Sequence, residues 1–289
     1  MGAVALDYDV ALHRQFRVVA ERRESTIWDT RLATPNSGST ERAVVMLVLE
    51  GSVTWHAPDG CTFVAPSAFV VPANHLEGQG GRWPRTFRSE GSPFSTVELQ
   101  IAPSMLDASD RPRPIDLSAA LLAAARSHTR LVHDAAVPGR ELRERTIRTL
   151  LSTLYEQGVT RTDLSTEVEP PTMLDEQLWR LLAPLVEDFE ILPSLATTGA
   201  PAGLSARQLT RRIESLLERL DLPWGGWREI TRGYRLKVAV MLLSCQSVAI
   251  ADVASRCGYS SAEALAHALT TEGLPPPNEL RRRILGNLG

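Results

Sequence analysis

Arg207, Thr210 and Arg211 are the residues of this 289-residue chain best placed to do chemistry. They fall in the run Gly203-Leu204-Ser205-Ala206-Arg207-Gln208-Leu209-Thr210-Arg211-Arg212-Ile213. Spacing of i, i+3 and i+4 sets all three on one side of a helix, with Leu209, Ile213 and Leu216 on the other. A guanidinium in the DNA major groove pairs bidentately with guanine, and a threonine hydrogen-bonds or touches a thymine methyl. Gln208 and Arg212, on the flanks of that face, suit phosphate or a partner helix. Ser205 is a good N-cap for such a helix. The plainer reading of the same residues is a solvated arginine face.

Other side chains offer less. Cys61, Cys245 and Cys257 have neither CxxC spacing nor an even count, which fits reduced thiols in a cytosolic core and no disulfide framework. His56 follows Trp55, and His75 is the only later histidine candidate beside it in the N-terminal third. Two histidines without an acidic partner in register make a poor divalent site, so no metal and no cofactor are expected. That absence also argues against a metal-dependent oxygenase or isomerase. Trp55, Phe63, Phe69 and His75, with Trp83 and Phe87, are candidates to line an effector pocket. Aromatics in a small β-fold also serve simply as core.

Charge divides along the chain. The whole carries a formal net charge of −3, yet from Ser205 onward twelve Arg or Lys stand against eight Asp or Glu. Any nucleic-acid contact therefore belongs to the C-terminus. No apolar segment resembles a signal peptide or is long enough to cross a bilayer, so a soluble, cytoplasmic protein without membrane contact is expected.

These residues need elements to hold them. Val44–Leu49, Ser52–Trp55, Thr62–Val64, Ala68–Val71 and Ser95–Ile101 read as short strands. Glu50-Gly51, Pro58-Asp59-Gly60, Pro66-Ser67 and Gly78–Gly81 supply turn chemistry between them, and the spacing suggests a small barrel or sandwich. From about Leu117 to Gln157 the pattern turns helical, with Leu117–Ala125 a strong helix former. Ile147, Leu150, Leu151 and Leu154 at i, i+3, i+4 and i+7 form an apolar stripe, either a packing face or a dimer seam. Gly158–Pro171 is polar and ends in Pro170-Pro171, a composition that suits a linker.

Near the C-terminus a second corner reads Ile250-Ala251-Asp252-Val253-Ala254-Ser255-Arg256-Cys257-Gly258-Tyr259-Ser260-Ser261. In both runs a glycine and a serine end one short helix and start the next, as a tight helix–helix corner requires. The helix after the second corner, from Ser261 to Thr271, is rich in alanine, and His267 is its only basic residue. Small side chains do not reach base edges, and Glu263 and Glu272 repel phosphate unless one accepts from a cytosine amine. Before the first corner, Gly199 and Pro201 predict a short, marginal supporting helix in Leu195–Ala202. Trp227–Cys245 reads as one long connecting helix with Ile230, Tyr234, Val238, Met241 and Leu242 buried. Arg281–Arg283 either hold phosphate or solvate a tail.

The paired corners and the long helix between them resemble the AraC/XylS family of bacterial transcription regulators. The turn order around Glu50-Gly51, Asp59-Gly60, Pro66-Ser67, Val71-Pro72 and His75 is similar to half of a cupin. The resemblance implies an α+β multidomain fold: an N-terminal cupin-like β-barrel with helices, and a C-terminal all-α double helix-turn-helix domain. The implied division is residues 1–103 for effector binding, 104–160 for helical dimerisation, 161–171 as linker and 172–289 for DNA. It further implies a homodimer that binds promoter or operator double-stranded DNA, answers to a small-molecule effector and meets RNA polymerase. Base contacts carry over to Arg207, Thr210 and Arg211, flanking ones to Gln208 and Arg212, and the second unit's to Ser261 and His267. The alternative is a family descendant with weakened DNA binding that acts as a ligand- or protein-binding module.

Overall fold

The structure is a computed structural model that describes residues 6–13, 15–29, 42–55, 61–72, 87–106, 112–134, 140–168, 203–220 and 225–286, with positions 172, 177, 178, 181, 195 and 199. The chain divides into two compact units. One holds Ala5–Ser25 and Thr40–Pro170; the other holds Met1–Val4, Thr26–Ser39 and Pro171–Gly289.

The first unit is built on an antiparallel sheet. Its strands are β1 (Leu6–Leu12), β2 (Phe16–Arg23), β4 (Ala43–Trp55), β5 (Thr62–Val64), β6 (Ser67–Val71), β7 (Phe87–Ile101) and β8 (Arg113–Pro114). The short β3 (Trp28–Asp29) belongs by sequence to the segment that clusters with the other unit. Along the sheet the order is β1-β2-β7-β4-β6-β8, with β5 paired to β4. The two runs expected around Glu50-Gly51 are one strand, β4, whose register against β7 shifts between Val48 and Ser52. Gly51 takes a φ of +83° there, and a Cβ on it would lie 2.7 Å from the Glu90 carbonyl oxygen. Glycine is what lets the bulge form and the two strands stay paired.

Two helices cover this sheet, α1 (Ala119–Asp134) and α2 (Arg140–Glu156). The Ser118 hydroxyl accepts from Leu121 N at 3.1 Å, opening α1 two residues later than the apolar run suggests. Phe16, Val18, Val45, Leu47, Val97 and Leu99 from the strands share one core with Leu121 and Ala125 of α1. Ile147, Leu150, Leu151 and Leu154 of α2 complete that core and are at most 1% exposed. The dimer-seam reading is therefore corrected: these side chains are spent inside their own unit and offer no surface to a second copy. Nor are residues 104–160 a separate segment, because both helices share the sheet's core.

The expected linker is corrected as well. Residues Leu164–Glu167 form a 3-10 turn, and Leu164 and Val168 are buried in the same core. Arg148 of α2 holds this stretch by donating to the carbonyls of Ser165 at 3.0 Å and Val168 at 2.5 Å. Its polar composition reflects an ordered edge of the first unit.

The second unit is helical: α3 (Ala206–Arg219), α4 (Trp227–Leu243), α5 (Ile250–Arg256), α6 (Ala262–Thr271) and α7 (Pro277–Gly286). On α4 the buried side is wider than expected. Ile230, Tyr234 and Met241 are buried with Leu236, Ala239, Val240 and Leu243, whereas Val238 and Leu242 are only half-buried. None of the described helices is long and apolar enough to cross a membrane.

Candidate nucleic-acid interface

Both corners of the helical unit are closed by glycine. Gly258 has a φ of +73° and follows α5. Tyr259 N donates to the Ala254 carbonyl at 2.9 Å and Gly258 N to that of Ser255 at 3.0 Å, the paired bonds of a left-handed helix stop. Ahead of α3, Gly203 has a φ of +64°, and Leu204 N donates to the Gly199 carbonyl at 3.0 Å. Gly199 itself is helical and buried. A Cβ there would stand 2.8 Å from the Leu204 carbonyl oxygen and 3.3 Å from a Leu209 methyl. This corrects its reading as a helix breaker: Gly199 is a contact point that only glycine fits. Most of Leu195–Ala202, including Pro201, lies outside the described residues.

α3 begins with a reciprocal cap. The Ser205 hydroxyl accepts from Gln208 N at 3.3 Å, and the Gln208 side chain accepts from Ser205 N at 2.9 Å. Gln208 is thereby engaged at the helix start through its carbonyl oxygen, and its exposed amide group keeps two donors that suit phosphate or a partner helix. Leu209, Ile213, Leu216 and Leu217 face inward and are buried, at most 3% exposed. Burying each contributes about 1.5–3 kcal/mol, so the orientation of α3 is set by this stripe and not by its arginines. Arg207 and Arg211 stand exposed on the opposite side, while Thr210 and Arg212 are half-buried. Thr210 donates its hydroxyl hydrogen to the Ala206 carbonyl at 2.9 Å, leaving oxygen lone pairs and a methyl group for a ligand. Glu214 and Glu218 share the exposed side one and two turns further on. On this side of α3 the cationic residues are thus confined to the first two turns, a restriction the motif alone did not convey.

The second corner presents a different surface. Ser261 caps α6, accepting from Ala264 N at 3.2 Å. Leu265 and Leu269 are buried, and Glu263, His267, Thr270 and Thr271 are exposed. The Ser261 hydrogen bond holds the Glu263 carboxyl below its usual pKa, so it is an anion at neutral pH. Both threonine hydroxyls are satisfied by the His267 carbonyl, at 3.0 and 2.8 Å. Glu272 pairs with Arg232 of α4 at 2.7 Å, which takes its charge out of play. At the corner itself, burial pushes the Cys257 thiol and the Tyr259 phenol up to about 12, so neither is ionised at neutral pH.

The arginines of the tail are committed elsewhere. Arg281 donates to the carbonyls of Leu243 at 3.1 Å and Val248 at 2.6 Å, fastening α7 to the end of α4. Arg282 and Arg283 pair with Glu279. The expectation that Arg281–Arg283 hold phosphate is corrected for Arg281, whose donors close a helix C-terminus.

In the first unit, Phe63 and Phe69 stack with ring centroids 4.0 Å apart. Phe69 is fully buried and Phe63 half-buried. Trp55 ends β4, but its side chain lies outside the described residues, as do His56, His75 and Trp83. Sequence reasoning missed a set of buried arginines here: Arg17, Arg23, Arg42 and Arg88 are all at most 5% exposed. Arg23 is completely enclosed, lies 4.1 Å over the Phe94 ring and donates to the Ser89 carbonyl at 2.9 Å. Burial pulls its pKa below the ordinary arginine value, against the raising influence of Glu21 and Glu98. The only sequence signal was charge inside a run, FRVVAERR, that forms a strand.

No protein-family model matches the chain, and no curated protein matches it. Among solved structures it is similar to ToxT from Vibrio cholerae, with 10% identity over 92% of this chain and 98% of that one and a TM-score of 0.35. A ToxT structure with bound unsaturated fatty acid aligns at 11% identity over 93% and 96%, also with a TM-score of 0.35. The AraC-like transcriptional activator CuxR aligns at 14% identity over 95% and 84%, with a TM-score of 0.30. The chain has AraC-like structural neighbours.

Proposed function

We propose that this chain is a sequence-specific DNA-binding transcription regulator of the AraC/XylS type. It acts in the cytoplasm as a homodimer, with a small-molecule effector in a cupin-like N-terminal barrel and contact with RNA polymerase. α3 is the reading helix of the first helix-turn-helix, and Arg207, Thr210 and Arg211 meet the major groove. One observation carries this reading. Arg207 and Arg211 stand exposed on the first two turns of a serine-capped helix, and neither has an ion-pair or hydrogen-bond partner among the described residues. Recognition helices contact base edges from their N-terminal residues, and unpaired guanidinium groups are the donors that guanine O6 and N7 accept. Arg212 supports them from the flank.

In this reading the second unit contributes Ser261 and His267, with His267 the one basic group on α6. The Phe63–Phe69 stack, together with Trp55 and His75, marks the effector pocket. Effector binding changes DNA presentation only to the extent that the ligand prefers one arrangement of the domains.

A second reading is favoured by α6 itself. Its exposed Glu263 and otherwise small side chains suit a protein surface better than phosphates, and point to a descendant that acts through a protein partner.

Fluorescence anisotropy of the purified chain on DNA from its own upstream region, across a salt series, separates the two. The regulator reading expects affinity that falls steeply with salt. Losing each bidentate arginine costs about 1–3 kcal/mol, so Arg207→Ala/Arg211→Ala should weaken binding by roughly thirtyfold or more and flatten the salt slope. Equal binding by the variant removes α3 from the reading. No salt-dependent affinity under any condition favours the protein-binding module.

A further inference from the structure

α1 carries basic residues at Arg126, Arg130 and His133, spaced i, i+4 and i+7 and so on one side of the helix. That side overlooks β2, β4 and β7, away from the Phe63–Phe69 stack. Between them lies a cleft of about 360 Å³, within the range of about 300–1,000 Å³ that small-molecule sites occupy. Arg22 of β2 closes one side, where it pairs with Asp134 at 3.6 Å. Neither Arg126 nor Arg130 has an ion-pair or hydrogen-bond partner among the described residues. His133 also lines the cleft, and its Nε2 is shielded from solvent without a hydrogen-bond partner among the described residues.

The lining selects a chemistry. Two unpartnered guanidinium groups one helical turn apart, with a third opposite, attract an anion and match the oxygens of a phosphate or carboxylate. Glu50 and Asp134 accept hydrogen bonds, and the Ser95 and Thr129 hydroxyls are close by. Among the described residues Leu49 is the one apolar lining residue, and no phenyl or indole ring is present. Among the described residues the lining offers a lipid chain no apolar wall, and its carboxylates and hydroxyls suit a ligand that itself carries hydroxyl groups. We propose that this cleft binds a small hydroxylated organic anion of the sugar-phosphate or sugar-acid class. The anionic group sits between Arg126, Arg130 and Arg22, and hydroxyl groups donate to Glu50 and Asp134. The site is independent of the DNA reading and requires no DNA to be tested.

Isothermal titration calorimetry of the full chain with glucose 6-phosphate, gluconate and glucose, at physiological ionic strength, tests it. Saturable binding of either anion, with glucose much weaker, is the expected result. Which anion binds distinguishes phosphate from carboxylate. Arg126→Ala/Arg130→Ala should weaken that binding at least about tenfold, or 1.4 kcal/mol. Both side chains are exposed, so the melting temperature and circular dichroism should not change. Arg126→Gln/Arg130→Gln, which keeps helix-forming side chains of similar reach, should show the same loss. Binding of neither anion, equal binding of glucose, or retention of affinity in both folded variants overturns the proposal.

Discussion

Gly199 shows how a single missing methyl group governs the first corner. With a Cβ position 2.8 Å from a backbone oxygen, Gly199→Ala forces the Leu204 carbonyl or the Leu209 side chain to move. The expected loss is roughly 1–3 kcal/mol, read as a lower melting transition of the helical unit. Unchanged melting would mean that the corner tolerates the extra methyl. Arg281 makes the complementary case. Arg281→Ala strips the Leu243 and Val248 carbonyls of charged donors. Stability should fall by roughly 2–3 kcal/mol, whereas Arg282→Ala and Arg283→Ala, at the exposed Glu279 pairs, should cost under about 1 kcal/mol. Comparative denaturation of the three variants checks the ranking. Legibility at this scale followed locality. Ser205 and Gly258 act on neighbours in sequence and could be read directly. Arg281 acts on carbonyls that only the fold brings near, so it looked like a phosphate ligand, and Gly199 looked like a helix breaker because its contacts with Leu204 and Leu209 exist only once the corner is closed.

Elements were legible where one periodicity ruled them. α2 announces itself by Ile147, Leu150, Leu151 and Leu154, and α3 by Leu209, Ile213 and Leu216. β2 was hidden because nearly every residue of FRVVAERR is buried, which erases the alternation that betrays a half-exposed strand. Its arginines and glutamate also mimic a surface segment. What the stripe on α2 covers was equally illegible, since a seam and a core face share one pattern.

The α1–α2 pair also makes a prediction about acid. His128 of α1 is fully buried, with Nδ1 2.9 Å from Thr146 Oγ1 of α2. Burial lowers its pKa to about 4, with Arg143 and His133 acting in the same direction and Asp9 of β1 opposing. His13 is lowered to about 4 by the same cause, against Glu144. Both values lie below the unfolded value of 6.5, so the unfolded chain takes up protons first as pH falls. The contribution is whole above pH 6.5, drains away between 6.5 and about 4, and for His128 is on the order of 3 kcal/mol. Melting of the sheet unit should therefore drop steeply over that window. His128→Gln, which keeps a hydrogen-bonding side chain without the titration, should make the slope shallower, and an unchanged slope would exonerate His128.

At the scale of the molecule, the two units keep separate cores, and the boundary near Pro170-Pro171 was visible in composition. The second boundary was not. The stretch Thr26–Ser39 follows β2 in the chain yet is counted with the helical unit, where Ile27 N donates to the Ser244 hydroxyl at 2.8 Å. No local pattern in those residues signals such a membership, because it depends on a partner more than two hundred positions away. A fragment of residues 171–289 should accordingly melt at a lower temperature than the same unit within the intact chain, as judged by hydrogen exchange at α4. Matching protection in both would show that residues 26–39 add nothing.

That detour has a consequence for inheritance. A unit assembled from one uninterrupted stretch can be cut out, fused elsewhere or exchanged by a single crossover between genes. Here the helical unit also counts residues 26–39, which fall in sequence between β2 and β4 of the sheet unit, so one crossover near residue 171 would exchange most of it and leave that segment behind. The two halves are bound to travel, and to change, together.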